Sequence, residues 1–315
     1  MSRTKTLESR HKKQTSKDDG KVVLHINKLS VHLPENNRYL LHNISFDVRQ
    51  GEFVVLLGSN GSGKSSLISA INHTSQLRLK GNISIDGQKV NKINQDLFVA
   101  TITQNVNSNL FPSLSILENF LVYQSTLGKV WAKINRVNRA DGNATHGSNV
   151  HFCDNRRGGD GHHNRHLSSD GCLGGDGGAG NPLSPTRLDI QFREHLAQFN
   201  RKLSQATHQP VGNLSGGEKQ TLALALTMFF PRKILLLDEH TSALDPRASK
   251  SIMEITNQKI RDFGLTCIMT THNLDYAMAY GDVIIALKNG EIFKKININA
   301  KKDIKKDDLL EIFSP

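Results

Sequence analysis

From Val22 onward the chain alternates short apolar, often β-branched runs with polar breaks. Val22-Val-Leu-His-Ile26, Leu29 to Leu33 and Leu41 to Val48 read as strands. Gln50-Gly51 is a turn signal, and Glu52-Phe-Val-Val-Leu-Leu-Gly58 is apolar enough for a strand buried on both faces. Ser65-Ser-Leu-Ile-Ser-Ala-Ile-Asn72 then switches to helical spacing. Asn82-Ile-Ser-Ile-Asp86-Gly87 alternates like a strand and ends in an Asp-Gly turn, and Val99 to Thr103 is a further short strand. From about Leu110 the period is helical. Ser113 to Tyr123 has a capping-box-like start and an apolar stripe, and helical spacing resumes from Thr186 through Ile190 to Phe199. After Leu214 a glycine turn leads to a helix over Lys219 to Phe229, then a buried strand over Lys233 to Asp238. A helix begins at Pro246, with Asp245 as its N-cap and Gly264 as its stop. Thr266 to Thr271 is a strand, Leu274 to Tyr280 a short helix, Asp282 to Leu287 a strand, and Lys288-Asn-Gly-Glu291 a hairpin turn. Asp308 to Phe313 is a candidate last helix. Strands alternating with helices predict an α/β fold with a mainly parallel, doubly wound sheet, and there is no internal repeat.

Composition separates the folded parts from the rest. Of 315 residues 37% are hydrophobic, and mean hydropathy is −0.41. Such values predict that part of the chain is unpacked. Met1 to Lys21 is a polar arm with seven Lys or Arg against three acids. Asp141 to Pro182 is rich in Gly, His, Asn, Asp and Ser and reads as a disordered insertion. The tail from Lys294 is rich in Lys and Asp. The net charge of +11 fits an anionic surface nearby, nucleic acid or membrane, or simply solvated lysine-rich tails. Three cysteines, Cys153, Cys172 and Cys267, suit a reducing compartment better than a disulfide scaffold. The N-terminus has no apolar signal core, and no run approaches the ~18 apolar residues of a spanning helix. A membrane role therefore needs another chain to cross the bilayer. The insertion holds His146, His151, Cys153, His162, His163, His166 and Cys172, all soft metal ligands, but their spacing matches no tight zinc site and a solvated loop is the default.

Candidate chemistry centres on Gly58-Ser59-Asn60-Gly61-Ser62-Gly63-Lys64-Ser65-Ser66, which fits the phosphate-loop pattern at a strand-to-helix turn. Its glycines let backbone N–H groups curl inward toward phosphate oxygens, and the helix end adds its positive dipole. Lys64 is placed to reach the β- and γ-phosphates, and the Ser65 hydroxyl to bind Mg²⁺. The apolar strand Ile234 to Leu237 delivers two acids, Asp238 and Glu239. Asp238 suits Mg²⁺ coordination, and Glu239 suits polarising a water for attack on the γ-phosphate; an acid pair at a helix start is the competing reading. Leu214-Ser-Gly-Gly-Glu-Lys-Gln220 opens a helix, and its Ser215 and glycines form an anion site or a mere turn.

Together these residues resemble the ATP-binding-cassette (ABC) ATPases, whose signature Leu-Ser-Gly-Gly-x-x-Gln stands at Leu214 to Gln220. The likeness covers roughly Val22 to Phe293 apart from the insertion. It implies a P-loop NTPase (RecA-like) core with an antiparallel β subdomain and an α-helical ABC subdomain. In such an arrangement 22–109 and 228–293 form the ATP-binding core, and 110–227 the helical subdomain that contains 141–182; 1–21 is the arm and 294–315 the tail. The family works as a head-to-tail pair of ATPase subunits, homodimer or heterodimer, around two Mg-ATP. Ser215, Gly216 and Gly217 of one subunit then close on the γ-phosphate held by the other. His272 falls at the family's switch histidine, contacting the γ-phosphate and Glu239. Gln104 falls at the glutamine that senses Mg²⁺ and links to the membrane subunit. Ser242-Ala-Leu-Asp245 resembles the dimer-contact loop.

Two departures stand out. The family's adenine-stacking aromatic aligns near Leu33, and Tyr39, the nearest aromatic, is out of register. His240 replaces the usual proline. The run Leu235 to Pro246 with its His240, together with Phe192 to Leu196 and Thr271-His-Asn273, resembles a tryptophan/tyrosine-type, amino-acid-like importer subgroup. The implied protein is the peripheral ATPase of an importer at the cytoplasmic face of the inner membrane. Its partners are a membrane-spanning permease and a substrate-binding protein, with no direct nucleic-acid partner. The alternative is a soluble ABC ATPase acting on nucleic acid or ribosomes, which the charge favours and the single cassette disfavours.

Overall fold

The computed structural model describes residues 20–33, 38–73, 78–91, 95–106, 110–125, 187–230 and 232–298. The basic arm up to residue 19, the insertion at 141–182 with its histidines and cysteines, and the expected last helix at Asp308 to Phe313 lie outside them.

Two sheets carry the fold. The smaller is antiparallel, in the order β2 (Arg38–Arg49), β1 (Val22–Leu33), β4 (Arg78–Ile85), β5 (Gln88–Lys89). The two strands expected at Val22–Ile26 and Leu29–Leu33 are one strand. A bulge between Ile26 and Leu29 shifts the register, with Lys28 at φ 50, and pairing resumes beyond it. The Asp-Gly turn forms as expected, with Asp86 and Gly87 both at positive φ.

The larger sheet has the order β10 (Glu291–Asn297), β9 (Val283–Lys288), β3 (Phe53–Leu57), β8 (Thr266–Thr270), β7 (Ile234–Asp238), β6 (Val99–Ile102). All of it is parallel except the β9–β10 hairpin. Its inner strands are mostly apolar because both faces are buried. In β3, Val54 and Leu56 join one core with α1 (Lys64–Ile71) and the antiparallel sheet. Phe53, Val55 and Leu57 join the other core, with the helices. That second core holds α6 (Gly216–Phe229), α7 (Pro246–Phe263) and α8 (Leu274–Tyr280). It also holds Ile116 and Phe120 of α3 (116–125), Phe192 and Leu196 of α4 (Arg187–Ala197) and Leu203 of α5 (Arg201–Gln205). Phe120 stacks on Phe192 with centroids 4.1 Å apart, and Phe229 meets both edge-on.

Helix starts obey their caps. α3 begins after Ser115, whose N–H donates to Glu118 Oε2 at 2.7 Å while its hydroxyl accepts from the Glu118 N–H at 3.2 Å. α6 begins three residues earlier than the glycine turn predicts. Ser215 and Glu218 form a capping box, so Gly216 and Gly217 are its first helical residues. α7 has the predicted Asp245 cap and ends at Gly264. Arg261 of α7 donates both guanidinium arms to Asp282, and that carboxylate also accepts the Phe53 N–H. The long helix is thereby fastened to the sheet. Among the described residues, no helix is long and apolar enough to cross a membrane.

Candidate active site

Parallel pairing sets the carboxyl ends of four strands on one edge. Leu56 pairs with Thr270, Thr270 with Asp238, and Ile102 with Leu237. The residues just past these strands therefore converge: Gly58 after β3, His272 after β8, Glu239 after β7 and Gln104 after β6. The result is a cleft of about 610 Å³. The phosphate loop lines it through Asn60, Gly61, Gly63, Lys64, Ser65 and Ser66, opposite Gln104, Asp238 and Glu239.

The loop needs its glycines. A side chain at Gly58 would strike the Ser62 hydroxyl and come within 2.5 Å of the Leu287 carbonyl oxygen. Gly63 caps α1 at φ 105, against Leu40 and Leu41 of β2. Lys64 is 5% exposed, and its Nζ donates to the Gly58 and Ser59 carbonyls at 2.8 and 3.0 Å. Burial lowers its pKa, while the nearby Glu239 and Asp238 charges act the other way. Ser59 thus enters the site through its carbonyl. Ser62 is buried, with its N–H on the Ser59 carbonyl and its own carbonyl accepting from Gly290. The β9–β10 turn is thereby stitched to the loop.

The acid pair is held from β8. The Thr270 hydroxyl donates to Asp238 Oδ1 at 2.7 Å and accepts the Glu239 N–H at 3.0 Å. Glu239 sits at φ 45, and its carbonyl accepts from the Ser242 N–H and hydroxyl at 3.0 and 2.8 Å. His272 is exposed, with Nδ1 3.8 Å from Glu239 Oε1. His240, next in the chain, is buried instead, and burial lowers its pKa to about 4, so it is neutral near pH 7.

Ser215, Gly216 and Gly217 do not line this cleft. Gly216 lies beside Leu244 and Gly217 beside Ala248, at the start of α7. Ser65 and Asp238 bring two oxygen donors into the cleft, and Gln104 a third. Such a sparse oxygen set suits Mg²⁺, which keeps waters and takes phosphate oxygens for the rest of its shell.

Two features escape a reading by motif. Thr270 is one of two threonines that end the otherwise apolar strand β8; its position beside the Asp-Glu pair appears only once β7 and β8 are in register. Tyr39, out of register by sequence spacing, does line the cleft with Arg38, 48% exposed. It pairs with His32 across the β1–β2 hairpin, and the rings of His32 and His42 meet it edge-on at 5.1 and 5.9 Å.

Known proteins share both the sequence pattern and the fold. A family model described as ABC transporter matches residues 41–242. The tyrosine transport ATP-binding protein of Clostridioides difficile (strain R20291) is 28% identical over 300 residues, 92% of this chain and 98% of that protein. The phosphonates import ATP-binding protein PhnC 2 of Oceanobacillus iheyensis is 27% identical, over 86% of this chain and 89% of its own. Among solved structures, cbiO1 from Clostridium perfringens, part of the ABC transporter complex cbiONQ, superposes with a TM-score of 0.61 at 20% identity, covering 89% of this chain and 90% of that one. The ATP-binding cassette MJ0796, in a dimeric post-hydrolysis state bound to ADP and Pi, does so with a TM-score of 0.58 at 22% identity, covering 87% and 98%. At these identities the structures establish the shared fold.

Proposed function

The chain belongs to the ABC transporter family, and on that premise we propose that it powers an importer whose membrane-spanning part is a separate permease chain. As a member of that family it is an ATPase. The observation that carries the site reading is one cleft that gathers Lys64, Ser65, Gln104, Asp238 and Glu239, with His272 beside Glu239.

ATP enters with its phosphates on the loop. N–H groups at the start of α1 and the Lys64 ammonium neutralise the β- and γ-phosphates, which requires Lys64 to leave the Gly58 and Ser59 carbonyls. Ser65, Asp238 and Gln104 would hold Mg²⁺, which when bound supplies further neutralisation of phosphate charge. Glu239 orients and polarises the attacking water, and His272 completes the polar wall beside it. Tyr39 offers an exposed ring for the base at the outer end of the cleft. Ser215 to Gly217 lie outside the chain's own cleft, which supports their acting on the nucleotide of a partner ATPase subunit, identical or homologous. On this reading 22–109 and 228–293 are the ATP-binding core and 110–227 the helical subdomain. The assembly sits peripherally at the cytoplasmic face of the inner membrane. A substrate-binding protein delivers a small solute of amino-acid type, in line with the names of the relatives.

Glu239→Gln tests both halves of the reading. ATP hydrolysis should fall by roughly 10²- to 10⁴-fold, the range of a lost general base, while ATP binding persists. The same variant with ATP, used as bait in detergent-solubilised native membranes, should capture a multi-spanning membrane protein. Recovery of ribosomes or DNA without one would overturn the transporter reading.

A further inference from the structure

Glu239 borders a second cavity, of about 230 Å³, that shares no other lining residue with the nucleotide cleft. His240 lines it, together with Met253 and Ser249 of α7 and Tyr276 of α8. The ring is 3% exposed, and its Nε2 lies 3.4 Å from the hydroxyl of Thr256, a fully buried residue ten positions into α7. We propose that His240 is a positioning residue that aims the Glu239 carboxylate by tying its peptide to α7. The inference rests on the reading of Glu239 as the water-polarising group.

Glu239 is not glycine, yet it holds φ 45, a conformation that persists only where its surroundings impose it. Thr270 fixes its N–H and Ser242 its carbonyl. Those bonds hold the two peptide groups but leave rotation of the next residue open. The His240 ring is enclosed in the core, where a polar contact fixes the direction of a ring that meets it. The Thr256 hydroxyl supplies that contact. α7 is itself fastened to the sheet through Arg261, Asp282 and the Phe53 N–H, so the tie runs from a fixed helix to a strained carboxylate. Further along the loop, Ser249 holds the Thr241 and Leu244 carbonyls, which places His240 as the tie nearest Glu239.

Steady-state ATPase of the full chain provides the test, with Thr256→Val, His240→Phe, the double variant and His240→Gln. Thr256→Val and His240→Phe should each lower kcat about fivefold, the scale of one hydrogen bond, with KM for ATP unchanged. The double variant should be no worse than either single one, because both remove the same contact. His240→Gln, whose amide can still meet Thr256, should recover most of the loss. Unchanged kcat in the well-folded Thr256→Val protein, a loss expressed in KM, or additive losses would overturn the proposal. Glu239→Gln in the same assay separates the two levels. Full turnover there removes the role of Glu239 itself, whereas a dead Glu239→Gln beside normal Thr256→Val removes only the role of His240.

Discussion

Two helix starts in this molecule carry glycines and a serine, and they are finished in opposite ways. α1 begins at Gly63, in a left-handed conformation, and no side chain caps it. α6 begins at Ser215, which caps it, and Glu218 reaches back so that its carboxylate accepts both the Ser215 N–H and hydroxyl at 2.9 and 2.8 Å. Those bonds hold the Glu218 carboxyl below its ordinary pKa. On the proposed reading the first end is left for a phosphate from outside; in the structure Lys64 donates to the loop carbonyls of Gly58 and Ser59. The second is complete without a ligand, its positive dipole already answered by its own carboxylate. If the proposed function holds, a binding end is kept incomplete, and an end meant for a second subunit is kept stable by itself.

Glycine replacement sharpens that contrast most. Gly58→Ala puts a methyl group against Ser62 and the Leu287 backbone, neither of which can yield without moving β9 or the loop. ATP affinity should drop by roughly 10²-fold or more, the scale of losing an anion-binding backbone element. Gly216→Ala meets only the end of the Leu244 side chain, at 3.3 Å, at a position already helical. Its melting temperature should stay within a few degrees and the ATP affinity of the isolated subunit should be unchanged. Equal damage from the two, measured by nucleotide titration and calorimetry, would break the comparison.

Acid should also separate the two ends. His195 of α4 is half-buried against Phe199, Phe229 and Phe263 and lies 3.0 Å from the Ala225 carbonyl of α6. Burial, the largest cause, lowers its pKa to about 4, against 6.5 for a free histidine. The unfolded chain then binds more protons than the folded one between those values. Stability is whole above about pH 6.5 and is lost as pH falls toward 4, by ~2 kcal/mol at pH 5 from this group. Hydrogen exchange at pH 5 should show α6 amides losing protection before those of α1, and His195→Phe should restore much of the difference.

How far the site is legible from sequence depends on how local its chemistry is. The phosphate loop, Asp238-Glu239 and Ser215-Gly216-Gly217 each carry their strand or helix beside them, so pattern alone locates them on their elements. Thr270 acts across two strands, and nothing in its own run distinguishes it from the neighbouring Thr271. Tyr39 looks out of register when distance along the chain stands in for distance in space. Register shifts at Val31 and His32 and the hairpin return bring it to the cleft. The bulge at Lys28 hides in the same way, since polar Asn27 and Lys28 look like a strand break. The expected helix start at Lys219 falls too late because glycine argues for a turn by propensity, whereas the capping box of Ser215 and Glu218 decides the start at Gly216.

The smallest effect tests the self-capping directly. Ser215→Ala removes an oxygen that accepts the Glu218 N–H and a hydroxyl that donates to its carboxylate, though the Ser215 N–H can still hold that carboxylate. Loss of an N-cap of this kind costs about 1 kcal/mol, so denaturant unfolding should register that much and no more. ATP binding to the isolated subunit should be untouched, because α1 shares nothing with this cap. If Ser215 works on a partner's nucleotide as well, hydrolysis should fall far more than 1 kcal/mol of stability explains, and only at concentrations where two subunits associate. Equal losses at all concentrations would leave Ser215 a cap and nothing else. The contrast between the two helix ends would then reduce to one between a ligand site and a well-made helix terminus.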